Sequence, residues 1–213
     1  MRKSARLLML PAVVALAVVS ATPASATGPV VLSQGHVDVI GVAFEDGVFD
    51  VHVHDEEADI EYAPHEVQLV AKPGSRTTVP ADPAYGFLGD PGDPVWILPE
   101  LQDPNLLWPG IAAEEVESGV FVGDQLRVSL LGAIGPGDVS IFTVGVSGPT
   151  VLADTGNGTP DTINLTAGDH VHANWAFEAA GSYLLAVRVS GTLAATNQVV
   201  RSDIAIYCVK VQR

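Results

Sequence analysis

Alternation of apolar and polar positions runs through much of the chain. His36-Val37-Asp38-Val39-Ile40-Gly41-Val42 begins a first predicted strand, Gly47 interrupts it, and residues 48–54 read V-F-D-V-H-V-H. Successive side chains of a strand point to opposite faces. Phe49, Val51 and Val53 therefore share one face, and Asp50, His52 and His54 the other. Glu45-Asp46-Gly47 between the two runs predicts a hairpin. Residues 66–72 (EVQLVAK) alternate again and stop at Pro73-Gly74. Four more strands are predicted over residues 125–131, 138–145, 182–189 and 198–211. Gly135-Pro136-Gly137 makes a tight turn between the first two.

Three stretches depart from this pattern. Residues 75–110 carry Pro80, Pro83, Pro91, Pro94, Pro99, Pro104 and Pro109, with Trp96 and Trp108 among them. This segment is too apolar for a linker and predicts a long ordered loop packed by its aromatics, with Val95-Trp96-Ile97-Leu98 as a short strand. At least two of Trp96, Trp108 and Trp175 are expected to be buried, pinning that loop. Residues 111–117 (IAAEEVE) predict one or two helical turns, and residues 146–161, rich in Gly, Ser, Thr and Pro, a second loop. Many short strands between Gly/Pro turns predict an all-β fold, an antiparallel β-sandwich. Gly181-Ser182-Tyr183 adds an immunoglobulin-like signal, a Tyr after a Gly turn. Residues 27–213 read as a single domain.

Residues 1–26 read differently. Arg2, Lys3 and Arg6 precede an apolar run over residues 7–19, and Ala24-Ser25-Ala26 is a small-x-small cleavage pattern. This predicts a signal peptide and an exported product without a spanning segment or C-terminal anchor. Charge sharpens the picture. The 213 residues carry 10 Lys+Arg against 25 Asp+Glu, formally −15. Losing the three leader cations leaves 7 against 25, or −18. So acidic a chain excludes a nucleic-acid partner. The single cysteine, Cys208, excludes an internal disulfide and a Cys-rich zinc site, and reads as a small buried hydrophobe of the last strand.

Against that background six histidines stand out. Four form two H-x-H pairs, His52-Val53-His54 and His170-Val171-His172. Residues i and i+2 of a strand project from one face, so paired imidazoles can reach one metal ion. Asp50, Asp55, Glu56 and Asp169 lie beside the pairs, as ligands or as acceptors that fix imidazole tautomers. The expected ligands are His36, His170 and His172, with Asp38 as ligand or orienting acceptor and His52 and His54 completing the set. Imidazole with carboxylate suits a transition metal such as zinc or copper rather than calcium. The alternative is that the histidines are scattered and incidental. No G-x-S-x-G, H-E-x-x-H or glycine-rich phosphate loop is present, so catalytic motifs are missing.

A series of motifs also resembles a known family. Gly35-His36-Val37-Asp38, Phe87-Leu88-Gly89, Val95-Trp96-Ile97-Leu98-Pro99-Glu100, Leu107-Trp108-Pro109-Gly110, Gly135-Pro136-Gly137-Asp138-Val139, His170-Val171-His172-Ala173-Asn174-Trp175-Ala176-Phe177 and Gly181-Ser182-Tyr183 occur in this order. They resemble the actinobacterial surface-anchored protein domain of the choice-of-anchor M type, over residues 30–189. The resemblance implies an exported, non-enzymatic, cell-surface-associated domain that binds a ligand, a transition metal among the candidates. Its implied partners are surface components or an ABC-transporter-linked system. The competing readings are a structural or adhesive surface domain without metal, and a secreted hydrolase.

Overall fold

The computed structural model describes residues 28–213. The leader expected at residues 1–26 lies outside them. Strands dominate, and the helical content is confined to four short 3-10 turns among the described residues. In chain order the strands are β1 (Val30–Leu32), β2 (Gly35–Glu45), β3 (Val48–Asp55), β4 (Ile60–Tyr62), β5 (Val67–Ala71) and β6 (Arg76–Thr78). Next come β7 (Pro94–Leu98), β8 (Leu107–Glu115), β9 (Phe121–Ile134), β10 (Val139–Gly145), β11 (Gly148–Asp154) and β12 (Asp161–Thr166). The last are β13 (His170–His172), β14 (Asn174–Phe177), β15 (Gly181–Leu193), β16 (Val199–Arg201) and β17 (Ala205–Val211). No helix among the described residues is long and apolar enough to cross a membrane.

Three sheets form. One runs β1-β5-β17-β15-β9-β12, with β16 on β15. The second runs β11-β10-β14-β7-β6, and the third β13-β8-β2-β3-β4. One continuous apolar cluster takes residues from all three, among them Leu69, Val128, Leu185 and Val209, then Leu98, Ile141 and Trp175, then Val37, Ile40 and Ile111. On β15, Tyr183, Leu185, Val187 and Val189 are buried in strict alternation. The period of two seen in the sequence is thus one side of this core.

The fold is all-β, as the alternation predicts, but it is not purely antiparallel. β1 pairs with β5, β5 with β17 and β2 with β8 in parallel. Parallel pairing joins strands distant in sequence, which a strand-by-strand reading does not reveal. The helical turns expected over residues 111–117 are instead strand: β8 continues to Glu115, with Ile111, Ala112 and Ala113 buried. Here β8 sits between β2 and β13, and two sheet neighbours override a weak helical propensity. The loop expected over residues 146–161 contains a strand instead, β11, paired with β10. The proline-rich segment is also more regular than a loop. It supplies β6, β7, the start of β8 and a 3-10 turn over Pro83–Leu88. Leu88 of that turn packs with Val79, Val95, Phe142 and Ala176 in a small second cluster. Trp96 and Trp175 are buried, as expected. Cys208 is a free thiol, half-buried rather than fully enclosed.

Two turns follow sequence chemistry closely. Asp46 and Gly47 both take positive φ, 50° and 83°, between β2 and β3. That is the conformation an Asp-Gly hairpin favours. Tyr183, at the start of β15, donates its hydroxyl to the Ala179 carbonyl at 2.8 Å.

Candidate metal centre

The third sheet builds the centre. His172 lies opposite Gly110, Gly110 opposite Asp38, Asp38 opposite His54 and His54 opposite Glu61. One row of side chains therefore crosses all five strands on a single face. In a second row His170 lies opposite Ala112, Ala112 opposite Gly41 and Gly41 opposite His52. His36 lies beside Trp108. A register shift between Asp38 and Gly41 makes the two rows possible. Regular alternation from His36 and Asp38 would put Ile40 next on the polar face. The bulge inserts one residue, keeps Ile40 in the core and brings Gly41 into line instead.

The two glycines keep the rows open. A Cβ on Gly110 would overlap Asp38 Oδ1 and lie 3.1 Å from His170 Nε2. A Cβ on Gly41 would overlap the His52 imidazole. Gly110 thus leaves the gap across which Asp38, from β2, meets the β13 histidines.

Three imidazoles converge there. Ring centroids of His36, His170 and His172 stand 5.0, 4.8 and 5.0 Å apart, a nearly equilateral triangle. His36 Nε2 is 3.1 Å from His170 Nε2. Asp38 Oδ1 is 3.2 Å from His36 Nε2 and 2.9 Å from His170 Nε2. One nitrogen from each of the three histidines lies within 4.8 Å of the others.

The far sides of the rings are fixed. His170 Nδ1 contacts Glu114 Oε2 at 2.9 Å, and His172 Nδ1 contacts the Pro109 carbonyl at 2.9 Å. A carboxylate and a carbonyl only accept, so both Nδ1 atoms carry the proton. In the neutral rings, each Nε2 then presents a lone pair. Trp108 stacks on His172 with centroids 3.6 Å apart and planes 6° from parallel. Its indole N–H donates to the Glu100 carbonyl at 2.8 Å. Asn174, two residues past His172, clasps Glu100 through Glu100 N–H to Oδ1 and Nδ2 to Oε2, both 3.0 Å. The W-x-L-P-E, L-W-P-G and H-x-H-x-N-W segments thus meet around one centre.

Electrostatics match a cation at this point. Burial pushes the His172 imidazole down to about 4, so it stays neutral above that pH. Burial also raises the Asp38 carboxyl, an effect opposed by His170 and His36 and reinforced by Glu56. Asp38 is only 2% exposed, and its Oδ1 lacks a conventional hydrogen bond. A buried carboxylate oxygen facing the His170 Nε2 lone pair is costly unless a proton or a metal ion lies between them.

His36, Asp38, His170 and His172 therefore come together, while His52 and His54 do not join them. The ligand set expected from the sequence has His52 and His54 completing it. The two H-x-H pairs lie on β3 and β13, with β2 and β8 between, which separates the strands by roughly 14 Å at ordinary sheet spacing. Asp38 stands between them and groups with both His170 and His54. His52 is 3% exposed and lies 3.3 Å from Glu115 Oε1 through Nε2. His54 Nδ1 lies 3.0 Å from Glu56 Oε1. Glu114, Trp108 and Gly110 were not singled out as site residues by spacing, and Glu114 stood in the segment read as helix. The only sequence signal for Trp108 and Gly110 is their place in the L-W-P-G motif, and Glu114 lies in none of the motifs.

Larger depressions lie elsewhere, one of about 660 Å³ near Tyr62 and Cys208 and one of about 350 Å³ near Phe49 and Ser202. Neither gathers convergent nitrogen and carboxylate donors. No protein-family model, curated protein or solved structure matches the chain.

Proposed function

We propose that this protein is a non-enzymatic binding module that holds a transition-metal ion, zinc or copper, through His36, Asp38, His170 and His172. One observation carries the proposal. The three donors His36 Nε2, His170 Nε2 and Asp38 Oδ1 are spaced 2.9–3.2 Å apart. Four ligands at 2.0–2.1 Å around a tetrahedral ion stand about 3.3 Å from one another. We assign His172, which has a ring nitrogen within 4.8 Å of nitrogens of His36 and His170, as the fourth donor. Glu114 and the Pro109 carbonyl orient two of the imidazoles, as acceptors behind metal-bound histidines do. Four protein donors fill a tetrahedral ion, which favours retention of the metal over catalysis at it.

The leader at residues 1–26 supports export, and the motif series supports kinship with the surface-anchored choice-of-anchor M domains. On this reading the domain serves a surface or transporter-linked system outside the membrane. The Tyr183 hydroxyl bond to Ala179 supports an immunoglobulin-like β-sandwich as its finer architecture. The test is elemental analysis of purified protein followed by titration of chelator-stripped protein with zinc and copper. Retention of about one tightly held equivalent, lost on combined His170→Ala and His172→Ala, is the expected result. A chain that neither retains nor takes up either metal is a structural or adhesive domain instead.

A further inference from the structure

We propose a second divalent-cation position beside the first, formed by Asp38, His54 and Glu56, with the Asp38 carboxylate shared between the two. This rests on the reading of the first centre as a metal site. The sheet register carries the argument. Asp38 on β2 lies opposite His54 on β3, so the carboxylate that faces His36 and His170 on one side has an imidazole neighbour on the other. Glu56 is anchored to the same place, because its backbone N–H donates to the His36 carbonyl at 3.2 Å. Its carboxylate lies 3.0 Å from His54 Nδ1. One donor atom from each of Asp38, His54 and Glu56 lies within 4.8 Å of the others.

Two further observations separate this from a chance acidic cluster. The three residues open onto a groove of about 260 Å³, also lined by His52, Glu114 and Glu115. Asp38 lines that groove at 2% exposure while its unpartnered Oδ1 is turned to His36 and His170, so the carboxylate stands between the two positions. Two buried or half-buried carboxylates face each other there with no Lys or Arg along the lining. A shared divalent ion neutralises that pair. One imidazole and two carboxylates suit zinc or manganese, and three donors leave positions open toward the groove. The first centre is closed by four protein donors and the second is open, so the second ion is the weaker and more exchangeable of the two.

The test is calorimetric zinc titration of chelator-stripped protein. Wild type takes up two equivalents, the second at least tenfold weaker. His54→Gln with Glu56→Gln takes up one, with the affinity of the tighter site within threefold of wild type. His170→Ala with His172→Ala loses the tighter equivalent. Copper supplies a readout on the wild-type protein alone. At two equivalents the paired ions give a half-field transition in electron paramagnetic resonance. A single equivalent in wild type, with no half-field transition, overturns the second position and leaves the first standing. No uptake at all overturns the metal reading itself.

Discussion

At the scale of single residues, the centre depends on atoms that are absent as much as on donors. Gly110→Ala places a methyl group against Asp38 Oδ1. Gly41→Ala places one against His52, which belongs to the neighbouring row. The first substitution is expected to weaken the tighter zinc site at least tenfold in calorimetry. The second is expected to leave that site within about threefold. Equal losses would mean that both glycines act through the sheet as a whole. His172 gives a pH signature in metal-stripped protein. Its pKa is held near 4 in the fold, against about 6.5 in an unfolded chain. Between those values the unfolded state binds more protons, so stability rises with pH. The destabilisation begins as pH falls below about 6.5 and is complete below about 4. The melting temperature of stripped wild type should therefore fall more steeply from pH 7 to 4.5 than that of His172→Gln. Parallel curves would remove His172 as the cause. Tyr207 offers a separate check. It is 1% exposed, its hydroxyl has no partner, and burial raises its pKa. Tyr207→Phe removes an unsatisfied buried group and should stabilise the fold by about 1 kcal/mol in denaturant unfolding.

At the scale of elements, β2 is the decisive strand. It carries His36 and Asp38, pairs with β3 through a hairpin and with β8 in parallel, and contains the bulge that aligns the rows. The hairpin and the centre are separable. Gly47 has φ 83°, and a Cβ there meets open space. Gly47→Val is thus expected to cost about 1–3 kcal/mol through backbone strain alone, with zinc stoichiometry unchanged. The proline-rich segment behaves as structure for the same reason that it was too apolar for a linker. Trp96 and the 3-10 turn over Pro83–Leu88 bury apolar side chains on the two sides of the sheet that contains β7. Trp175, 2% exposed on β14, sits at the middle of that sheet. Trp175→Ala should cost about 3–5 kcal/mol, read by denaturant unfolding. Trp108→Ala should cost less stability but weaken metal binding, because its ring supports the His172 imidazole.

At the scale of the whole molecule, the centre ties β13 to β2 across β8 and so joins segments 134 positions apart between His36 and His170. A ligand that binds only the folded state stabilises it by about 2.7 kcal/mol at a hundred times its dissociation constant. Chelation should therefore lower the melting temperature, and zinc should restore it. A melting temperature indifferent to both would remove the ion from the fold's energetics. The large acidic excess acts at longer range. It concentrates cations near the surface, an effect screened over about 10 Å at 0.1 M salt. Zinc association should slow as sodium chloride is raised, while stoichiometry holds.

The sequence by itself determined the local terms. Alternation marked β2, β3, β5, β9, β10, β15 and β17, Asp46-Gly47 marked the hairpin, and residue type marked His36, Asp38, His170 and His172 as donors. These depend on side-chain period, turn conformation and ligand chemistry, each carried within a few residues. Tertiary structure decided the rest. Only pairing across the sheet could place Gly110 between Asp38 and His172, or convert residues 111–115 from a weak helical segment into β8. Only the bulge after Asp38 could decide which later residues of β2 share its face. Two H-x-H pairs that look equivalent along the chain end up in different surroundings, because β8 and β2 lie between their strands. Register is a property of partners, and a one-residue slip sends every side chain to the opposite face.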